Sequence, residues 1–489
     1  MRFILLCLLL GSALSLSAQS RSFQLIDGDT GQPVPYATIQ TGPREGTISN
    51  EEGFFSLNLQ LIETVAISCM GYRSEEKSAG DLMALNGPIK LQPAAINLNE
   101  VRLTNRTPTA NEILQLVRSN LDKNYVYTGQ GFRIFYRESE HMQFDALDLE
   151  LEKASDLSRE ALAQADARLG RLASDIVKSN PRKYLDFNGT IAISSDSTKV
   201  LRLENATELV DHHRDYSLDQ IEERARNIVL SHLDTTKTYK VKTGIFKIED
   251  SLSMAEDWDE DSGSDSTELS YLRNKSGGLL DDASWKDGTL LKELLDGDAY
   301  RYHFIKATYF DGNYVYAVGF EPDRRKAKFE GVLYVDAASY AVLKADYGYA
   351  RGRRGEKVNL KLLLGIKYIE NMYSGTVIYK RNFNNTYSPY YIQKENGNYV
   401  YIHRDFKFIE NSPSRKKVRF DFLLEGGVRE REALLVSPME PSETSALLTY
   451  SQPKKIKIRS LERYEPTIWQ ETQVIEPLEE MKNFRVSPE

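Results

Sequence analysis

The rhythm of apolar and polar positions changes character along the chain. From Phe23 to about Leu103 short alternating runs are broken by turn residues: Thr30-Gly31-Gln32-Pro33, Asn50 to Gly53, and Met70-Gly71-Tyr72. Runs of that length and period predict a small β-sandwich. Within Gly46 to Asn58, GTISNEEGFFSLN, Phe55 and Leu57 flank a solvent-facing Ser56, and Leu59 continues the alternation. Gly31, Gly53 and Gly71 suit turn positions with positive φ, and Pro33 and Pro35 suit an edge that must not pair.

A 3.6-residue period follows. Thr109 caps a predicted helix with Ile113, Leu114, Val117 and Leu121 on one side. A second helix is expected over about Leu149 to Lys178. A third, Leu218 to Leu233, places Ile221, Ala225, Ile228, Val229 and Leu233 on one face. Gly131 to Arg137 and Gly189 to Ser194 are strands between them. Glu256 to Glu268 is acidic, Ser-rich and nearly free of apolar residues, the composition of a solvated loop, and Asp287 to Leu295 is a short helix.

From Ala299 onward strand follows strand: 299–310, 314–321, 327–335, 340–350, 357–370, 375–383, 390–395, 399–409 and 417–424. The joints, Asp311-Gly312-Asn313, Pro322-Asp323-Arg324, Arg351 to Gly355 and Asn396-Gly397-Asn398, carry turn chemistry. Val358, Leu360, Leu362, Leu364 and Ile366 alternate with Asn359, Lys361 and Lys367, which predicts one buried and one wet face. Consecutive hairpins of this kind make an antiparallel meander. No repeat at a fixed period is visible, which disfavours a solenoid or propeller.

The expected organisation is a leader at 1–19, a sandwich at 20–104, and a helix-rich connector with a few strands at 105–235. A segment with the acidic loop follows at 236–298, then the meander at 299–430 and an extended tail packing on the β-domain at 431–489. The leader rests on Met1-Arg2, an apolar run from Phe3 to Leu10 and small residues through Ser15-Leu16-Ser17-Ala18-Gln19, the order of a secretory signal peptide. Its apolar core is too short to span a bilayer, and Cys7 inside it reads as one more apolar residue. Only Cys69 remains beyond it, so no internal disulfide is available. On an apolar strand, that residue reads as a small buried hydrophobe rather than a reactive thiol. Net charge is −8, or −9 once Arg2 is removed with the leader, which disfavours a general nucleic-acid binder.

LIDGDTGQPVPYATIQTGPREGTISNEEGFFSLNLQ, VAISCMGYRS and INLNEVRL together resemble the carboxypeptidase-regulatory-like domain, a transthyretin-like sandwich. The resemblance runs through Asp27, Thr30-Gly31, Pro33, Pro35, Ala37-Thr38, Gly46-Thr47, Gly53, Phe55 and Gly71-Tyr72 in order. It implies an envelope protein of Gram-negative bacteria, of the Bacteroidota type. Later, FEGVLYVDAASYAVLKADY resembles the strand-turn-strand of envelope proteins in which that sandwich precedes a β-rich domain, similar in outline to periplasmic lipoprotein carriers. Tyr464 to Met481, YEPTIWQETQVIEPLEEM, resembles the tail with which such chains end.

Candidate chemistry is thin. His141, His212, His213, His232, His303 and His403 form neither H-E-x-x-H nor H-x-x-E, so the family name transfers no peptidase activity. His212-His213 beside Asp211 and Asp215 is the densest cluster, read as a solvated helix cap ahead of a metal site. Asp257, Asp259, Asp261 and Glu268 have EF-hand spacing. Ser262 stands at the glycine position, with Gly263 displaced and Ser264 where an apolar residue belongs, which favours a solvated loop over a calcium site. Nucleophile-elbow, phosphate-loop and dinucleotide motifs do not occur. Arg351-Gly352-Arg353-Arg354-Gly355 reads as a hairpin turn ahead of an anion cradle. Of 28 tyrosines, seventeen lie between Tyr300 and Tyr401; most are expected to pack the sheet, with a Tyr-lined ligand face or membrane-barrel girdles as sharper readings.

The fold expected is therefore mainly β with α: an N-terminal β-sandwich, a helical connector and a large antiparallel β-meander domain with packed helices. The function expected is non-enzymatic binding or scaffolding in the periplasm or at the outer membrane, with an envelope protein or outer-membrane component as partner and a lipid or glycan as possible ligand. No nucleic acid, cofactor, metal or catalytic residue is assigned. A periplasmic carrier holding a lipid or lipoprotein acyl chain in a curved sheet, and a hydrolase with an unrecognised site, stand as alternatives.

Overall fold

Seven short strands form where the turn residues predict them: β1 Arg21–Asp27, β2 Thr38–Gln40, β3 Gly46–Ile48, β4 Phe54–Leu57, β5 Thr64–Ser68, β6 Glu75–Ser78 and β7 Ile89–Leu91. They build two sheets in the computed structural model, ordered β4-β1-β7 and β3-β2-β5-β6. Leu25, Ile39, Phe55, Val65, Ile67 and Leu91 are fully buried in their shared core. Phe23 pairs with Phe55 across β1 and β4, and their rings stack at 5.5 Å. Gly31, Gly53 and Gly71 all have positive φ. At Gly53 a side chain would also strike the Leu25 carbonyl, so that turn admits only glycine. Cys69 is buried in this core, its thiol facing the Pro35 carbonyl oxygen at 3.9 Å.

The structure describes residues 20–43, 45–94, 108–211, 237–243, 246–253, 267–382, 384–469 and 473–486. The expected leader, the helix at Leu218 to Leu233, His212, His213, His232 and the acidic loop up to Ser266 lie outside these residues. Two units form: 1–102 with 307–315 and 465–482, and 103–306 with 316–464 and 483–489. The tail segment 465–482 thus belongs with the sandwich.

The second unit is built on one large sheet, apart from the ends of β14 and β15 at 307–315 that are counted with the first. Its strands are β8 Gln130–Ala154, β9 Arg182–Ile193, β10 Lys199–Val210, β11 Thr238–Thr243, β12 Phe246–Ser253, β14 Tyr300–Phe310, β15 Asn313–Pro322, β16 Phe329–Asp336, β17 Val342–Tyr349, β18 Lys357–Leu360, β19 Ile366–Arg381, β20 Tyr387–Glu410, β21 Lys417–Pro438 and β23 Arg459–Leu461. Two short strands, β13 Thr267–Glu268 and β22 Lys455–Ile456, pair apart from it. The order is β14-β15-β16-β17-β19-β20-β21-β8-β9-β10-β23, with β11 also on β20 and β18 on β19. β20 and β21 pair without a break from Tyr391↔Leu435 to Ile409↔Lys417. So β8 to β10, within the stretch expected as a connector, are strands of this sheet.

Three elements differ from the sequence reading, each for a local reason. Asn396-Gly397-Asn398 makes no turn. Asn396 is paired with Tyr373 on one side and Glu430 on the other, and Asn398 Oδ1 accepts from the Val428 amide at 3.3 Å, so two neighbouring ladders override the turn propensity. The second helix spans Arg159–Ser179 rather than starting at Leu149. Leu149 pairs with Phe422 in the sheet, and Ser158 caps the helix by accepting from the Ala161 amide at 3.2 Å. Residues 357–370 are not one strand. A single helical turn at Lys361–Leu364 and Gly365, at φ 64°, fold them into the hairpin β18 to β19. The expected buried face is lost there: Val358 and Leu360 are exposed, Leu363 is 70% exposed and Leu362 fully so.

Helix Ala110–Asn124 starts at Thr109 in a capping box with Glu112 and buries Ile113, Leu114, Val117 and Leu121, as the periodicity predicts. Helix Arg159–Ser179 lays Leu169, Ala173 and Ile176 on Leu149, Leu151, Phe420 and Leu424. Helix Leu269–Asp282 was not legible in the sequence; Ser276-Gly277-Gly278 are weak helix formers. At Gly277 the helix passes close to the end of the Lys199 side chain.

Candidate functional site: a carboxylate cluster closed by a lysine

On β21 the alternation Arg429-Glu430-Arg431-Glu432 sends acids to one face and bases to the other. Glu432 is directly opposite Glu138 of β8, so the two carboxylates share a face with Glu430. These three groups lie within 4.8 Å of one another and form the cluster among the described residues tight enough to hold a metal ion. The cation in their midst is the chain's own. Lys275, on helix Leu269–Asp282, brings Nζ to 3.0 Å from Glu138, 2.5 Å from Glu430 and 3.5 Å from Glu432.

The electrostatics follow from that geometry. Burial pulls the Lys275 ammonium down, and Glu138, Glu430 and Glu432 outweigh it, holding the ammonium above its ordinary range. Burial raises the Glu432 carboxyl, against the hydrogen bond from Tyr136. Glu140 is raised by burial and then by Glu138. Tyr136 Oη lies 2.6 Å from Glu432 and 2.8 Å from Glu138, yet a phenol has one proton to donate. At the helix end Lys394 reaches Asp282 at 2.9 Å, a second tie of the helix to the sheet.

On the opposite face Arg431 meets Glu395 at 3.3 Å, and Arg429 pairs with the same carboxylate. Arg137 holds Asp186 through two nitrogens at 2.8 and 2.6 Å. The charges of these strands are thus spent on one another.

The tyrosines mostly pack. Tyr125, Tyr379, Tyr387 and Trp285 form one buried group with centroids 5.3 to 6.3 Å from Tyr125. Phe329, Tyr347, Tyr349 and Tyr373 form another, and Gly375 leaves room for the Tyr347 ring.

Among the described residues, the candidates named from the sequence do not converge. His141 lies edge-on to Tyr184 at 6.2 Å, His303 packs over Gly319, and exposed His403 contacts Asp421 at 3.1 Å. Arg351 to Gly355 is a turn: Gly352 has φ 78°, and Arg353 donates to the Arg325 carbonyl at 3.1 Å. Glu268 accepts from Ser270 at 2.9 Å. Sequence reasoning missed Lys275 and its three acids. The alternating charges of β21 were visible, but their partner sits on a helix that carries no sequence signal.

In the sandwich unit the stretch around Asn50 holds the tail. Asn50 Oδ1 accepts from the amides of Glu52 and Phe54 at 3.0 and 2.9 Å, fixing the turn. Its Nδ2 donates to the carbonyls of Glu476 and Pro477, both at 3.2 Å. Thr47 Oγ1 donates to the Val474 carbonyl at 2.6 Å, and Glu52 accepts from the Glu479 amide at 3.1 Å. Lys482 pairs with Glu476 at 3.0 Å.

Residues 24–103 match the CarboxypepD_reg-like domain. That regulatory-like domain is the sandwich of β1 to β7. No curated protein matches the chain. Among solved structures, one described as an outer membrane lipoprotein-sorting protein domain from Vibrio parahaemolyticus is similar at 10% identity, over 64% of this chain and 91% of its own, with a TM-score of 0.17. Among the described residues, no helix is long and apolar enough to cross a membrane.

Proposed function

We propose that the chain is an exported, non-catalytic binding protein of the cell envelope whose regulatory-like domain is a peptide-gripping mount. The observation that carries this reading is the grip itself. Asn50 and Thr47 hold residues 474–477 by main-chain carbonyls, with Ser22 also reaching the Glu476 carboxylate at 3.4 Å, largely the main-chain mode by which an extended segment is recognised.

Two further observations support it. The carboxylates best placed for acid-base or metal chemistry surround an ammonium of the chain's own that occupies the space between them, and their contacts are internal. A carrier of an acyl chain needs apolar space beneath its helices, whereas the interface under helix Arg159–Ser179 is filled by Leu169, Ile176 and Leu424.

Export is tested by fractionating native cells and sequencing the N-terminus. The reading expects the chain in the envelope fraction, starting near Ser20. A cytosolic chain that retains Met1 would contradict it.

A further inference from the structure

The hairpin β18 to β19 sits apart from the rest of the surface in two respects. It exposes aliphatic side chains at its tip: Leu362 is fully exposed, Leu363 is 70% exposed, and Val358 and Leu360 are 43% and 40% exposed. Burying such side chains is favourable, and a solvated cluster of them at a protruding turn marks a contact surface. The hairpin is also basic in an acidic protein. Residues 357–367 carry Lys357, Lys361 and Lys367 and no acid, in a chain of net charge −8, while Arg351, Arg353 and Arg354 belong to the turn at the other end of β18.

The geometry orders these groups. Leu360 pairs with Ile366 and Ile366 with Ile402, while Val358 pairs with Tyr368 and Tyr368 with Val400, so these six share one sheet face. On the opposite face of the hairpin Lys361 lies 3.6 Å from the centre of the Tyr401 ring and Lys367 lies 4.7 Å from that of Tyr399, two cations each set over a phenol ring. Acids on the neighbouring strands have partners of their own: Glu370 accepts from Tyr349 at 2.7 Å, Asp421 contacts His403 at 3.1 Å, and Glu425 accepts from Tyr399. Gly365, at φ 64°, closes the turn and holds the leucines outward as a fixed feature.

We propose that this hairpin docks on an anionic phospholipid surface, Leu362 and Leu363 entering the acyl boundary while Lys357, Lys361 and Lys367 meet the headgroup phosphates. Aliphatic tip, aromatic shoulder and basic rim are the three components of an interfacial anchor. A second copy of the chain, pairing along β18, is the competing occupant; a self-pairing edge has no use for the like charges of Lys357 and Lys361, which repel across a two-fold axis. The inference is independent of the peptide grip in the sandwich.

The test is co-sedimentation of the full chain with vesicles of phosphatidylcholine alone and of phosphatidylcholine mixed with phosphatidylglycerol. The wild type is expected to bind the mixed vesicles and to be released by salt. Leu362→Ser/Leu363→Ser should lower partitioning by at least about tenfold. Lys357→Glu/Lys361→Glu should abolish the preference for the mixed vesicles. These side chains are exposed, so unchanged thermal unfolding is expected in both variants. The proposal is overturned if the wild type fails to bind mixed vesicles at low salt, or if either variant binds them as the wild type does. It is also overturned if light scattering shows a dimer that the leucine variant dissociates while vesicle binding is absent.

Discussion

The Lys275 ammonium lies 3.0 Å from the Glu138 carboxylate, although 137 positions separate them in the chain, and the contact joins a helix to the middle of the large sheet. Around it, Glu430 and Glu432 complete a shell in which the cation is stabilised and the acids are held together. Replacing Lys275 with Met keeps the bulk and removes the charge. The expected cost is about 3–5 kcal/mol near neutral pH, because three partly buried carboxylates lose their counter-charge. Chemical denaturation measures it.

The same variant has a defined pH signature. The folded-state pKa of Lys275 is raised, so its contribution is complete below the unfolded value of 10.5 and is lost only as pH rises through the higher folded value. The folded-state pKa of Glu432 is raised above 4.5, so its neutral form favours the fold at low pH and that benefit disappears as pH rises through the folded value. Without Lys275 the carboxylates repel more strongly as they ionise. The destabilisation of Lys275→Met should therefore be larger at about pH 8 than at about pH 4. Equal destabilisation at both would mean that the lysine acts by packing alone.

Asn50→Ala removes both the lock on the turn and the two donors to the tail. Leaving buried carbonyls without partners costs about 1–3 kcal/mol each. The expected result is a loss of about 2–6 kcal/mol together with faster hydrogen exchange over residues 473–482. Unchanged exchange in that segment would show that the tail is held by other contacts.

Gly375→Ala would place a methyl group against the Tyr347 ring within a sheet interior where neither can move freely. A destabilisation of about 1–3 kcal/mol is expected from the overpacking. Pairing this variant with Tyr347→Phe, whose ring keeps the clash, should give no rescue, whereas Tyr347→Ala should recover part of the loss.

Local chemistry made the sandwich readable. Gly31, Gly53 and Gly71 take the backbone the turns require, and Phe55 and Leu57 keep strict alternation, so each residue reports its own environment. Thr109 and its helix were readable for the same reason. The large sheet was readable as a meander but not in its strand lengths. At Asn396-Gly397-Asn398 the decision is made by Tyr373 and Glu430, partners that no local pattern contains. The exposed leucines of 360–363 followed the reverse logic: their alternation predicts a buried face, and Gly365 turns the chain before such a face can form. The Lys275 cluster needs three elements at once, so neither its acids nor its lysine is recognisable alone.

Whether the chain holds or transforms what it meets is tested most directly by turnover. The protein without residues 1–19, repurified to constant specific behaviour, is assayed against a broad panel of ester, amide, glycoside and phosphate substrates beside its Lys275→Met variant. The account predicts no rate above buffer for either protein. A rate that follows the wild type through repurification and is lost in Lys275→Met would make the carboxylate cluster an active site and contradict the account.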